Sequence, residues 1–121
     1  MANPNIVNVA RIFGNTVAGT FAASNTAFLT NPASSGSVYK INTINVANID
    51  GAANADFSLI LRLAGANTIF VETVALPADS VVIAVDKANG FYLNENCTIG
   101  GSASAAGDVT YVISFEQLYA T

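Results

Sequence analysis

From about Ser37 to its end, the chain alternates apolar and polar residues in short runs. Asp56-Phe57-Ser58-Leu59-Ile60-Leu61-Arg62-Leu63, Val81-Val82-Ile83-Ala84-Val85-Asp86 and Asp108-Val109-Thr110-Tyr111-Val112-Ile113-Ser114-Phe115-Glu116 carry it most clearly. Each run is β-branched or aromatic and is bounded by turn residues or Ala-rich loops. Successive side chains of a strand face opposite sides, so such a run buries one face and wets the other. Several runs with no helical stretch between them predict an all-β domain, a sandwich of antiparallel strands.

The 121 residues suit one domain. Hydrophobic residues make up 52% of the chain and charged residues 10%, where soluble domains usually carry about a quarter charged. Ala, Thr, Ser and Asn must therefore cover part of the surface. Low surface charge guards poorly against self-association, and assembly interfaces are depleted in charge. Two readings stand side by side: a surface meant to meet other subunits, or a compact β-domain with a bland exterior. The net charge of −4 leaves Arg11, Lys40, Arg62 and Lys87 as scattered basic residues. Displacing counterions from phosphates needs clustered Lys and Arg, so no nucleic-acid partner is expected. One cysteine, Cys97, excludes an intrachain disulfide. It reads as a small buried strand residue.

The opening Met1-Ala2-Asn3-Pro4-Asn5 shows no basic segment followed by an apolar core, so no signal peptide is expected. Met1 and the closing strand suggest a complete small protein. The uncharged stretch from Ile12 to Tyr39 is too interrupted by Gly, Asn, Ser and Pro for a membrane span. Residues 1–36 differ from the rest: two or three short strands are expected near Val7 to Phe13, Thr16 to Ala23 and Ala27 to Thr30. They form an N-terminal arm or a first hairpin of the same sandwich, and 37–121 form its core. Asn31-Pro32-Ala33-Ser34-Ser35-Gly36 reads as a turn or linker. Val38 to Val46 reads as a strand whose parity slips between Ile41 and Ile44, so a β-bulge near Asn42 or Thr43 is expected. Phe57, Leu59, Leu61 and Leu63 should face the core. Ala64-Gly65-Ala66-Asn67 should turn into a hairpin partner, Thr68 to Val74. Val81 to Asp86 is apolar on both parities and reads as a central strand covered on both sides. Phe91 to Leu93, Thr98 to Ser102 and Val109 to Gln117 complete about eight strands, a jelly-roll or Ig-like sandwich.

Reactive chemistry is sparse. Without histidine there is no Ser-His-Asp triad, no Cys-His pair and no His metal ligand. Gly100-Gly101-Ser102 lacks the Lys and the strand-to-helix context of a phosphate loop. Asp50 with Asp56, and Asp79 with Asp86, read as turn caps rather than acid–base pairs. The loop Asp50-Gly51-Ala52-Ala53-Asn54-Ala55-Asp56 offers three oxygen side chains where calcium needs six to eight ligands. Tyr39 and Tyr111 sit in apolar runs and read as core, not as a sugar platform. No catalytic residue, cofactor or metal is expected.

Four stretches carry a resemblance. They are Val38-Tyr39-Lys40-Ile41-Asn42-Thr43-Ile44-Asn45-Val46-Ala47-Asn48-Ile49-Asp50-Gly51, Leu76-Pro77-Ala78-Asp79-Ser80-Val81-Val82, Phe91-Tyr92-Leu93-Asn94-Glu95-Asn96 and Tyr111-Val112-Ile113-Ser114-Phe115-Glu116-Gln117. In that order the chain resembles small β-sandwich virion proteins of tailed bacteriophages, especially those of cyanobacteria. The resemblance spans about two-thirds of the chain, from Val38 onward, and rests on strand-and-turn patterns. It implies a non-enzymatic virion part, first of all a capsid decoration or cement protein that bridges capsomers. The implied partners are the major capsid protein and further copies of the chain, as a trimer before other oligomers. A neck, tail or fibre component is the alternative. Ile6, Val7, Val9, Ile12 and Phe13 are the candidate interface residues.

Overall fold

A computed structural model describes residues 9–119. Nine strands follow one another: β1 (Arg11–Thr20), β2 (Thr26–Asn31), β3 (Ser37–Asn48), β4 (Ala55–Leu63), β5 (Ala66–Leu76), β6 (Ser80–Val85), β7 (Phe91–Leu93), β8 (Cys97–Ala103) and β9 (Val109–Tyr119). A single 3-10 turn, Lys87–Asn89, separates β6 from β7. No helix among these residues is long and apolar enough to cross a membrane.

The strands form two antiparallel sheets packed face to face. One is ordered β1-β9-β3-β6, with β7 also paired to β3, and the other β2-β8-β4-β5. Consecutive strands β1 and β2 lie in different sheets, and the first and last strands are neighbours. The all-β sandwich expected from the alternation is therefore the observed fold. Between the sheets lie Ile41, Ile44, Val46, Phe57, Leu59, Leu93, Ile99, Val109, Ile113 and Phe115, all buried. Phe21, after β1, closes one end of the core. It meets Phe28 and Phe57 edge-on, and Tyr111 stacks on Phe28 at 4.0 Å. Tyr39 stacks on Phe115. Both core tyrosines thus lie where the sequence puts them, and Cys97 is buried and unpaired.

β3 explains its own parity slip. It pairs Ile41 with Phe115 and then Thr43 with Ser114, leaving Asn42 as the extra residue of a bulge. Tyr39 and Ile41 before the bulge, and Ile44 and Val46 after it, all reach the core. The edge strand beside β3 breaks at the same level. β6 pairs with Ile44 to Asn48, β7 with Tyr39 to Ile41, and the 3-10 turn fills the interval. Asp86 caps that turn by accepting from the Asn89 amide at 3.0 Å. Gly90 follows because its backbone lies against β3: a Cβ there would sit 2.5 Å from the Ile41 carbonyl oxygen.

Three expectations are corrected. The strands expected near Val7 to Phe13 and Thr16 to Ala23 are one strand, β1, within the described residues. Gly14 and Asn15 do not interrupt it, since an edge position with nothing within 4 Å of Gly14 tolerates a missing side chain. β6 is not central. It is an edge strand: Val82 and Ala84 pack on the core, while Val81 and Ile83 are 66% and 61% exposed. Leu63 is 42% exposed, because β4 there runs into the hairpin with β5, whose facing residues Ala66 to Ile69 are exposed too.

Candidate functional site

Of the candidate interface residues, Ile12 and Phe13 do not share a face. Ile6 and Val7 lie outside the described residues. Val9 is half-buried just before β1. Ile12 and Phe13 are neighbours in a strand, so their side chains take opposite sides. Ile12 lies level with Leu118 and Val38 across the sheet and is 59% exposed. Phe13 meets Tyr119 edge-on at 5.7 Å, and the Arg11 guanidinium lies 4.9 Å from the Tyr119 ring centre and 5.7 Å from that of Phe13. Phe13 thus belongs to an Arg-aromatic cluster at the start of β1, on the other side from Ile12.

A second apolar surface was not foreseen from sequence. The outer face of the first sheet carries the row Ala18–Val112–Asn45–Ile83 and, one step along, Thr20–Thr110–Ala47–Val81. Val46 and Val82, paired between these rows, point inward to the core, which fixes their neighbours outward. Val81, Ile83, Val112 and the nearby Ile49 are exposed. The signal was present in the two-sided apolarity of Ser80–Val85, which one chain alone does not cover.

Of the acidic residues read as turn caps, Asp50 caps its loop, as Asp86 caps the 3-10 turn, while Asp56 lies within β4. Asp50 Oδ1 accepts from the Ala52 and Ala53 amides at 2.8 and 3.3 Å. These bonds to the charged form hold its carboxyl below the usual carboxylate range. Among the described residues no group of three or more His, Cys, Asp or Glu is placed to hold a metal. Burial pushes the Tyr111 hydroxyl upward. Two open depressions lie on the second sheet. One, of about 210 Å³, is lined by Asn25, Thr26, Ile60, Arg62, Asn67 and Thr98. The other, of about 240 Å³, includes Ser58 and Ser104. Ser58 Oγ accepts from the Thr73 amide and Ser104 Oγ from the Asp56 amide, both at 2.9 Å. These hydroxyls hold backbone; neither is paired with a base.

Sequence reasoning also missed two buried asparagines. Asn31, fully buried, donates to the Ser37 and Leu93 carbonyls at 3.0 Å each and accepts from Ser35 Oγ at 2.6 Å. Asn48 donates to the Ala53 and Leu76 carbonyls at 2.9 and 3.1 Å and accepts from the Asp50 amide at 3.0 Å. Asn31 ties segments together at the end of the sandwich where β3 begins, and Asn48 at the opposite end, where β3 finishes.

No protein-family model and no curated protein sequence matches the chain. A solved structure shares its fold. A protein of Bacillus endospore appendages, from a family of disulfide-linked pili, superposes with a TM-score of 0.54 at 14% identity, covering 92% of this chain and 88% of that one. A pentameric capsid protein from metagenomic phage sequences superposes with a TM-score of 0.39 at 14% identity, over 88% of this chain. The chain spans 63% and 65% of the length of the capsid protein in two structures of it.

Proposed function

We propose that this chain is a non-enzymatic structural protein of a phage virion, and within that class a capsid decoration protein that bridges capsomers. The observation that carries the reading is the surface. A sandwich poor in charge and in reactive groups leaves Ile12, Val81, Ile83 and Val112 exposed, with Ile12 and the other three at opposite ends of one sheet face. Such a surface suits burial against other proteins, worth roughly 25 cal/mol per Å² before association costs. Those costs recur for each separate binding event, so linked copies gain avidity. The strand order supports a jelly-roll reading, the architecture of many capsid domains. It departs from the immunoglobulin arrangement, which keeps its first two strands in one sheet. The fold shared with a spore-appendage protein agrees with a structural part. Linkage by disulfides does not transfer, because the single cysteine here is buried.

In this reading Ile6, Val7, Val9, Ile12 and Phe13 dock on the major capsid protein or on a neighbouring copy, the chain acts as a trimer, and it sits on the capsid surface. Quantitative mass spectrometry of purified particles tests the location. Abundance comparable with the major capsid protein is expected. A small fraction of that abundance moves the chain to the neck, tail or fibre, and absence from the particle removes the virion reading. Deleting residues 1–8 tests the docking segment: particle binding should fall, and unchanged binding and oligomeric state would remove that segment from the interface.

A further inference from the structure

The four edges of the sandwich are not alike. In the second sheet, β5 is bulged twice against β4, carries Glu72 and holds Thr73 at a positive φ of 48°. β2 has six residues, a register shift between Ala27 and Leu29, and Pro32 directly after it. Bulges, short length, charge and proline are the devices that blunt an open edge. In the first sheet, β1 pairs with β9 over ten residues without a register shift, and its outer edge carries no proline and one charge, Arg11. β6 shares the six-residue length of β2 and has its own register shift against β3, between Ile44 and Asn45, but no proline abuts it, its six residues are uncharged between Asp79 and Asp86, and it leaves Val81 and Ile83 bare.

We propose that copies of this chain join head to tail through these two edges, β6 of one copy pairing antiparallel with β1 of the next. This rests on the self-association in the reading above and names its site. Strand direction alternates across β1-β9-β3-β6, so β1 and β6 run oppositely and two copies held the same way up present antiparallel edges. The levels match as well. Phe13 to Thr20 of β1 span the levels that β7 and β6 occupy beside β3, and Ala18 and Thr20 share cross-strand rows with Ile83 and Val81. In the joined sheet Ile83 of one copy meets Ala18 and then Val112 of the next. Charge disfavours the self-paired alternative: two β6 strands paired along their full length about a two-fold axis, Ser80 against Val85, bring the flanking Asp79 and Asp86 together as a like-charge pair. β1 opposes these carboxylates with none. A head-to-tail contact closes into a ring or runs on as a filament, according to the rotation per copy.

Cysteine cross-linking of the full chain tests this, with buried Cys97 left in place. Ile83→Cys and Ala18→Cys are made singly and together, oxidised, and run on non-reducing gels. The double variant should give a ladder of covalent multimers, and a mixture of the two single variants should give a dimer that neither gives alone. Dimers from Ile83→Cys alone would overturn the head-to-tail pairing in favour of the self-paired edge. No cross-linking from a chain that sediments as an oligomer would overturn the edge contact and leave self-association standing. A monomer at every concentration would overturn both, while copy number in particles judges the virion role separately. Ile83→Lys gives the second readout: loss of the oligomer, with the thermal transition of the monomer retained.

Discussion

Asn31 and Asn48 show how single polar residues can hold the ends of a sandwich. Each spends both amide hydrogens on carbonyls of other segments and its oxygen on a nearby donor. A buried group left without its partner costs about 1–3 kcal/mol. Asn31→Ala strips the Ser37 and Leu93 carbonyls of a donor at a fully buried site. It should lower unfolding free energy by about 2–4 kcal/mol, measured by urea denaturation; a loss under about 0.5 kcal/mol would contradict that holding role. Asp50 makes a pH-dependent contribution. Its folded carboxyl titrates below the unfolded value of about 3.9, so the stabilisation is present above that value and is lost as pH falls through the folded one. Asp50→Asn keeps an oxygen for the Ala52 and Ala53 amides and cannot titrate. Its melting temperature should fall less steeply than the parent's below about pH 4, and parallel curves would count against the cap. Neither asparagine was legible in the sequence, because Asn at the end of a strand looks the same whether it faces water or plugs a core.

At the scale of elements, legibility followed parity. The bulge in β3 could be read because Tyr39 and Ile41 fall on one parity and Ile44 and Val46 on the other, and only an extra residue brings both pairs to the core. β6 could not be placed, because a strand apolar on both parities gives the same pattern whether its own chain or a neighbour covers it. Ile12 and Phe13 could have been separated by the period of two alone. The β4–β5 hairpin was legible as a turn at Ala64-Gly65, and its geometry is tighter than foreseen. Leu63 pairs directly with Ala66, and Ala64 and Gly65 both take positive φ, 51° and 93°. That two-residue turn matches strand twist and favours Asn-Gly, whereas Ala at positive φ is strained. Ala64→Asn should therefore stabilise the protein by about 0.5–1 kcal/mol. Differential scanning calorimetry reads this as a raised melting temperature, and a lowered one would rule out the turn type.

For the whole molecule, the decisive fact is that the chain closes on itself. Among the described residues β1 pairs only with β9, and β9 also forms the long ladder with β3, so the last strand joins the first to the rest of the sheet. β2 likewise waits for β8. β4 and β5 are the one pair of consecutive strands that are neighbours in a sheet. Most pairings must therefore close long loops before any contact compensates the lost chain entropy. Refolding should be slow for a domain of this size, on the millisecond-to-second scale of all-β sandwiches, and stopped-flow fluorescence of the tyrosines can follow it. Truncation tests the same argument at equilibrium. A chain ending at residue 108 keeps eight of the nine strands, yet it leaves β1 unpaired and opens one side of β3 along its length. It should show no cooperative thermal transition and should be digested at protease levels that spare the full chain. A cooperative, protease-resistant truncated chain would mean that the remaining strands hold a core without β9, and that the first strand is an appendage to the sandwich rather than part of its closure.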